Sequence, residues 1–329
     1  MKWIQDISQD AHYGLRTLLK SPGFTAIAVV TLALGIGANT AVFSIVDSLV
    51  LRRLPVKDPD QLVVLAFRQG LGPLNTQFSA ADLLDIRSQS GGAFSDMIGY
   101  TPSLDGISMN GKVDRASTDY VTGNFFSMLG LKPYAGRFFF PTEGQALGAD
   151  PVAVLSFAYW KTRFGGDPAI VGKIILVNKH PCTVVGIAPP AFHGLYPAPS
   201  VGAYFPFAMI ESFESGWPQD LLSNRILQNS YILGRLRPGT NLAVAQTTLN
   251  VVARRLSAQY PGTDKGLNLS VYPERFARPD PSTSGTLITA AALFLGLVAL
   301  VLLLACANIA NLLLVRASSR ERELAVRAA

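Results

Sequence analysis

Phe24-Thr25-Ala26-Ile27-Ala28-Val29-Val30-Thr31-Leu32-Ala33-Leu34-Gly35-Ile36-Gly37-Ala38-Asn39-Thr40-Ala41-Val42-Phe43-Ser44-Ile45-Val46 holds no charged residue, and Asp47 is the first to interrupt it. A second charge-free run extends from Pro281 to Val315, bracketed by Asp280 and Arg316 and rich in Leu, Ala and Val from Leu287 onward. About 20 apolar residues, rising ~1.5 Å each, cross a hydrocarbon core about 30 Å thick. Both runs pass that length, which predicts transmembrane helices over 24–50 and 285–315. A hydrophobic fraction of 49% and a mean hydropathy of +0.30 suit two spans and a soluble domain, not a bundle that lies in the membrane throughout.

The first run is longer than the apolar region of a signal peptide, although Gly35-Ile36-Gly37-Ala38 offers small residues to a peptidase. It is also preceded by a patterned segment. Trp3, Ile4, Ile7, Ala11, Leu15, Leu18 and Leu19 recur at helical spacing, with Lys2, Asp6, Asp10, Arg16 and Lys20 largely off that stripe. Residues 1–20 therefore read as an amphipathic helix on the cytoplasmic membrane surface, ended by Ser21-Pro22-Gly23 before an uncleaved span. Basic residues set the orientation. Arg52, Arg53 and Lys57 make the first span ambiguous, but Arg316, Arg320, Arg322 and Arg327 follow the second closely. Both termini are expected in the cytoplasm and the loop in the bacterial periplasm, with the spans in the inner membrane. The net charge of +6 is scattered or sits at membrane edges, so no nucleic-acid partner is expected. Cys306 lies in a span and Cys182 in the loop, so they cannot pair.

The loop, 51–280, reads as mixed α/β. Leu62 to Phe67 is a buried strand. Ser79 caps a helix with Asp82 in a capping-box-like position. Asn110-Gly111, between Ile107-Ser108-Met109 and Lys112-Val113-Asp114, marks a hairpin. A short helix over Phe125 to Leu129 ends at Gly130. Val152 to Leu155 is a strand, and Ser156 caps a helix over Phe157 to Phe164 closed by Gly165-Gly166. Ile174 to Val177 and Thr183 to Ile187 flank Asn178-Lys179-His180-Pro181 as a hairpin. Pro189 to Pro218 reads as ordered irregular structure or an extended insertion. Tyr231 to Leu236 is a strand and Arg237-Pro238-Gly239-Thr240 a turn. A helix with Leu242, Ala245, Leu249, Val252 and Leu256 on one face follows, then a strand with Leu267, Leu269 and Val271. A parallel pairing of those last two strands would need a right-handed crossover. The fold class is thus an α+β membrane protein, two transmembrane helices flanking a large mixed α/β periplasmic domain. Residues 51–132 and 228–280 form one subdomain and 133–227 an inserted one.

Catalytic chemistry is hard to find. His12, His180 and His193 are dispersed without metal-ligand spacing. Gly166 to Lys173 has one residue too many for a phosphate loop, and Ile174 replaces the required Ser or Thr. No nucleophile elbow or nucleophile–base pair is present, so no catalytic, cofactor-binding or metal site is expected. Phe125, Phe126, Phe138, Phe139, Phe140, Trp160 and Trp217 read as core before pocket lining. Polar residues in the spans say more: Asn39, Asn308 and Asn311 need partners in hydrocarbon, and Ala33, Gly37 and Ala41 form a small-residue face. Both point to helix packing, against more helices than these two. Beyond the membrane, residues 316–329 continue the second helix, with Glu323 and Arg327 at i,i+4 spacing and Leu324 and Ala328 on one face.

Four stretches together resemble the MacB/FtsX-like family of ABC transporter permeases, with its MacB-like periplasmic core domain. One is Gly14-Leu15-Arg16 through Ser21-Pro22-Gly23-Phe24-Thr25 and Leu34-Gly35-Ile36-Gly37-Ala38-Asn39-Thr40-Ala41. Another is Val121-Thr122-Gly123-Asn124-Phe125-Phe126 with Leu129-Gly130 and Gly136-Arg137. A third joins Pro151-Val152-Ala153-Val154-Leu155-Ser156, Trp160, Arg163-Phe164-Gly165-Gly166-Asp167-Pro168 and Val184-Val185-Gly186. The last is Ala307-Asn308-Ile309-Ala310-Asn311-Leu312-Leu313 with Arg320-Glu321-Arg322-Glu323-Leu324-Ala325-Val326-Arg327.

The resemblance implies a non-enzymatic permease subunit that passes ATP-driven motion of a separate cytoplasmic ABC ATPase to a periplasmic domain. That motion would serve efflux, lipoprotein export or cell-envelope regulation. Arg316, Arg320, Glu321, Arg322, Glu323 and Arg327 would lie in the ATPase-coupling segment. The expected partners are the ATPase, a second permease copy or half, membrane lipid and a periplasmic adaptor; ATP is used by the partner and no cofactor by this chain. Family members usually have four spans, whereas this sequence ends at Ala329 within the coupling helix, which suggests a truncated form. The alternative is a membrane-anchored periplasmic ligand-binding or sensor protein. An anchored hydrolase is disfavoured by the missing catalytic constellation.

Overall fold

The computed structural model describes residues 22–46, 53–109, 111–196, 200–214, 220–277, 281, 289–290, 292–304, 306–307 and 310. Predictions for 1–20, Asn110, Trp217, Asn308, Asn311 and 316–329 lie outside these residues. The chain divides into two compact units, Met1–Ser48 with Thr286–Ala329, and Leu49–Gly285.

In the first unit α1 spans Pro22–Val46, 25 residues, and residues 292–304 are also helical. Val29, Val30, Leu34, Ile36 and Phe43 on α1 are exposed, as are Leu293, Leu297, Leu300 and Leu304 on the second helix. The two helices approach at Gly35, which is buried; a Cβ there would lie 3.3 Å from Leu302 Cδ1. Among the described residues no helix is long and apolar enough to cross a membrane. Several side chains of α1 lie outside that description.

The second unit begins with β1 (Leu62–Gln69), whose first six residues are buried, and β2 (Gln77–Phe78). Ser79 then caps α2 (Ala80–Gln89): its Oγ accepts from the Asp82 N–H at 3.0 Å and donates to Asp82 Oδ2 at 2.7 Å. A capping box would turn the third side chain back to the cap's own N–H. Here it takes the hydroxyl proton instead, which leaves Asp82 Oδ1 for another partner. β3 (Phe94–Met109) and β4 (Lys112–Val121) form the hairpin predicted around Gly111 (φ 78°), far longer than the turn alone announces, with pairs from Tyr100↔Val121 to Met109↔Lys112. The short α3 (Phe125–Leu129) stops at Gly130, φ 69°, as predicted. β5 (Ala135–Gly136), β6 (Val152–Leu155) and α4 (Phe157–Arg163) follow, the last capped by Ser156, whose Oγ accepts from the Tyr159 N–H.

β7 (Ile174–Val177) and β8 (His180–Ile187) form a hairpin with a tighter turn than the four residues predicted. His180 and Pro181 belong to the strand, and only Asn178 (φ 49°) and Lys179 (φ 75°) make the turn. A two-residue type I′ turn needs positive φ at both positions. Asn178 tolerates it and is held in place: the Gly106 N–H donates to its Oδ1 at 2.8 Å, and its Nδ2 donates to Asp105 Oδ1 at 2.6 Å. Lysine has no such affinity for the left-handed region. Lys179→Gly is expected to stabilise the fold by about 1 kcal/mol, seen as a higher midpoint in denaturant; an unchanged or lower midpoint refutes it.

The largest departure from the sequence reading falls in Pro189 to Pro218. This stretch contains β9 (Ala203–Pro206), a 3-10 turn over Phe207–Met209 and α5 (Ile210–Phe213). All four residues of β9 are buried. A strand covered on both faces shows no alternation, so its run of aromatic and small residues gives no periodic signal. β10 (Ser230–Leu236), α6 (Leu242–Gln259) and β11 (Leu267–Pro273) appear where expected, α6 burying Ala245, Leu249, Val252 and Leu256. β10 and β11 do not pair; β1 lies between them, antiparallel to both.

The strand order is β11-β1-β10-β3-β4-β9-β6-β8-β5, with β2 on β10 and β7 joining β3 to β8. That last strand closes a ring, β3-β4-β9-β6-β8-β7 and back to β3. Ile107, Tyr120, Leu155, Ile175, Val184 and Phe205 fill one core within the ring's strands. Beside it the open part of the sheet buries Val63, Leu65 and Ile232 against α2 and α6. Leu62, Val64 and Leu233, on the opposite face by strand alternation, join a third core with Phe125, Phe126, Phe192 and Tyr204.

Candidate functional site

Three polar clusters and one backbone contact stand out. Asp105 of β3 is fully buried and accepts from Thr118 Oγ1, from Tyr120 OH at 3.2 Å and from Asn178 Nδ2 at 2.6 Å. Burial pushes its carboxyl up while these donors pull it down, and burial prevails. Every donor belongs to the β3–β4 hairpin or the β7–β8 turn, so the cluster fastens that turn to the hairpin.

Arg225 gathers three carboxylates. Its Nη1 lies 2.5 Å from Asp82 Oδ1 and 3.4 Å from Asp264 Oδ2, its Nη2 contacts Asp85 Oδ2, and its guanidinium stacks 3.4 Å from the centroid of Tyr260. This is the partner that the Ser79 cap leaves Asp82 free to take. Burial lowers the Arg225 pKa, but Asp85 and Asp82 outweigh it. Burial, reinforced by Asp82, raises Asp264 to about 6.

Asp119 of β4 is 5% exposed, and burial alone raises its carboxyl to about 7. Tyr100 and Tyr204 near it are also buried and raised, by burial first. Around them Phe126 stacks on Phe138 at 4.0 Å and meets Tyr204 edge-on at 5.2 Å, while Phe125 lies 5.8 Å from Tyr204.

The backbone contact joins β5 to β8. A Cβ on Gly186 would lie 2.0 Å from the Arg137 carbonyl oxygen, and one on Gly136 (φ 70°) 2.2 Å from that of Val185. Arg137 then clasps Glu143 with two bonds of 2.9 and 2.7 Å and covers the Phe140 ring. Burial works against ionisation of Glu143, but Arg137 and the Phe140 N–H hold its pKa below the ordinary value.

None of these arrangements pairs a nucleophile with a base, and no group of His, Cys, Asp or Glu among the described residues could hold a metal ion. An open groove of about 770 Å³ runs along Leu104, Arg115, Ser117, Tyr159 and Gly202, and a cleft of about 220 Å³ lies between Leu84, Arg87, Glu143 and Phe207. Phe125, Phe126, Phe139 and Trp160 are core residues, Phe138 is partly buried, and Phe140 is exposed beneath Arg137. His180 and His193 are exposed. Both cysteines are free, Cys182 buried. Ala33, Gly37 and Ala41 are exposed within this chain, whereas Gly35 of the same helix meets Leu302; the Asn39 side chain lies outside the described ones. Arg225, Asp85, Asp105, Asp119 and Asp264 were not singled out by the sequence; only Asp82 was, as part of a cap.

Comparison with known proteins agrees with this fold. A domain of a protein assigned as a permease in Porphyromonas gingivalis superposes with a TM-score of 0.50 at 17% identity, covering 66% of this chain and 91% of that one. Also similar are the periplasmic region of MacB from Actinobacillus actinomycetemcomitans (TM-score 0.48, 16% identity, 69% and 92% covered) and the extracellular domain of YknZ, a noncanonic ABC-type transporter of Gram-positive bacteria (0.45, 13%, 63% and 98%). Among curated proteins nothing matches by sequence. The family model for the MacB-like periplasmic core domain matches residues 25–251, well over half of the chain, and the protein belongs to that family.

Proposed function

We propose that this chain is the permease subunit of a MacB/FtsX-like ABC transporter, non-catalytic itself, whose periplasmic domain is moved by a separate cytoplasmic ATPase. The observation that carries this is the family match, which begins at residue 25, inside α1, and so takes in helix and domain together. In this reading 24–50 and 285–315 span the inner membrane. Support comes from the sequence, whose charge-free runs of residues 24–46 and 281–315 each exceed the roughly 20 apolar residues that a hydrocarbon core of about 30 Å requires. The Thr40 and Ser44 hydroxyls donate to Ile36 O and Thr40 O at 2.8 Å, so both polar groups are satisfied inside the helix, as a lipid environment requires. Gly35 lets the second helix approach, and Ala33, Gly37, Asn39, Ala41, Asn308 and Asn311 would pack against further helices of a second permease copy or half. Arg316 through Arg327 would meet the ATPase, and a periplasmic adaptor would receive the motion.

Two measurements on the full chain test this. Alkaline phosphatase inserted after Gln69 should be active, and a nucleotide-hydrolysing subunit should co-purify from native membranes and change its ATPase rate when this chain is removed. An inactive insertion overturns the topology. A chain that purifies without any ATPase, from membranes where its absence alters no hydrolysis, overturns the permease reading and favours the anchored sensor.

A further inference from the structure

The strands from the middle of the sequence attach to the β3–β4 hairpin through two short seams. One is the parallel seam of β4 with β9, from Thr118↔Ala203 to Val121↔Pro206; the other joins β3 to β7 at Ile107↔Val177 and Ser108↔Leu176. Asp119 lies within the longer seam, in register with Tyr204. Alternate residues of a strand share a face, and register partners on neighbouring strands share it too. The Asp119 side chain therefore stands on the face of Val121, Tyr100 and Tyr204, beneath α3.

Nothing among the described residues donates a hydrogen bond to this carboxyl or offers it a cation; burial alone acts on it. The groups packed around it explain why. β3 supplies Tyr100, whose hydroxyl donates to Tyr196 OH at 2.6 Å and whose ring stacks on Tyr231 of β10. β9 supplies Tyr204, fully buried, with a hydroxyl that has no partner among the described residues. The core beneath adds Phe125 and Phe126 from α3 and Phe192 from the segment between β8 and β9, none of which ionises. The further charge that reaches the cluster is Glu274, acting on Tyr196, and it is an anion. A carboxylate formed here gains no compensating contact and keeps little of its water.

We propose that Asp119 is a proton-operated latch on the β4–β9 seam: protonated, it lets the middle strands stay docked on the hairpin, and ionised, it favours a state in which the seam opens to water. The closed seam binds the proton more tightly than the open one. Stability of the seam is thus full below the ordinary carboxylate range and is lost as pH rises through about 7. The device needs no ligand, and it stands or falls independently of the transport reading.

The test is hydrogen exchange on the full chain in lipid nanodiscs, comparing the amides of Ala203 to Phe205 with those of β10 and correcting for intrinsic rates. Protection of β9 relative to β10 should fall about fivefold between pH 6 and pH 7 and level off above that. In Asp119→Asn, which keeps the shape and cannot ionise, it should stay at its pH 6 level throughout. A ratio in the wild type that does not move with pH overturns the latch, and so does a fall that persists in the variant. If the variant does not fold, infrared spectroscopy of the wild type decides: a protonated carboxylic acid band present at pH 6 and gone at pH 8 supports it, and no such band at pH 6 refutes it.

Discussion

Gly186→Ala should cost about 3 kcal/mol or more of stability in the second unit, at or beyond the top of the usual overpacking range. The new methyl would lie 2.0 Å from the Arg137 carbonyl oxygen and 2.9 Å from its carbonyl carbon, and both belong to backbone. A side chain could rotate away, but this neighbour moves only if β5 leaves β8. The ladder there has just two pairs, Ala135↔Ile187 and Gly136↔Gly186, so it can be forced apart. Cys182, four residues earlier on β8, is 1% exposed, and burial raises its thiol far above the ordinary value. In a Cys306→Ser background its alkylation reports opening directly. The rate should rise on the order of a hundredfold in Gly186→Ala, as about 3 kcal/mol of local opening requires. An unchanged rate means that β5 can be displaced without cost.

Arg225→Met should be as damaging at neutral pH, about 3–5 kcal/mol, the usual cost of stranding a buried charge. Asp82 and Asp264 side chains are 10% and 5% exposed, and each would lose its cation. Asp85, at 28%, can turn partly to water. The sign of the pH dependence follows. Asp264 is raised to about 6 in the wild type, so it favours the folded state at low pH and that contribution is lost as pH rises through about 6. Without Arg225 the Asp264 carboxyl shifts further upward, and the deficit of the variant should shrink as pH falls from 8 to 5. Urea denaturation at both ends of that range checks this, and a deficit that grows in acid refutes it. Arg225→Lys should recover little, since one ammonium cannot reach three carboxylates and stack on Tyr260 as a planar fork does.

Elements whose signals are local were legible in the sequence. Ser79 and Ser156 as caps, Gly130 as a helix end and Gly111 in a hairpin each act within four residues of themselves. The apolar face of α6 was equally plain. Structure that depends on distant pairing was not. β9 is hidden because both of its faces are covered, and the ring closes through β7, whose two contacts with β3 link positions 107–108 to 176–177. The polar clusters follow the same rule: Arg225 finds Asp82 across 143 residues and Asn178 finds Asp105 across 73. The resemblance to the family did point to the right places without giving reasons. Gly136-Arg137 and Val184-Val185-Gly186 are noted separately in the sequence, and in the structure they are the two sides of one close backbone contact.

β1 and β11, the first and last strands of the second unit, are antiparallel neighbours, and Val63 at the start of one faces Pro273 at the end of the other. The two chain segments leading away from the unit therefore depart from a single corner of the sheet. Equal displacement of both segments drags that corner as a whole and leaves the ladder unloaded. Opposed displacement acts on the same corner like fingers on a zipper, breaking one pair at a time from Val63↔Pro273 toward Gln69↔Leu267 and never shearing all the pairs together. Such a domain is stiff toward motion shared by its two tethers and weak toward motion that separates them.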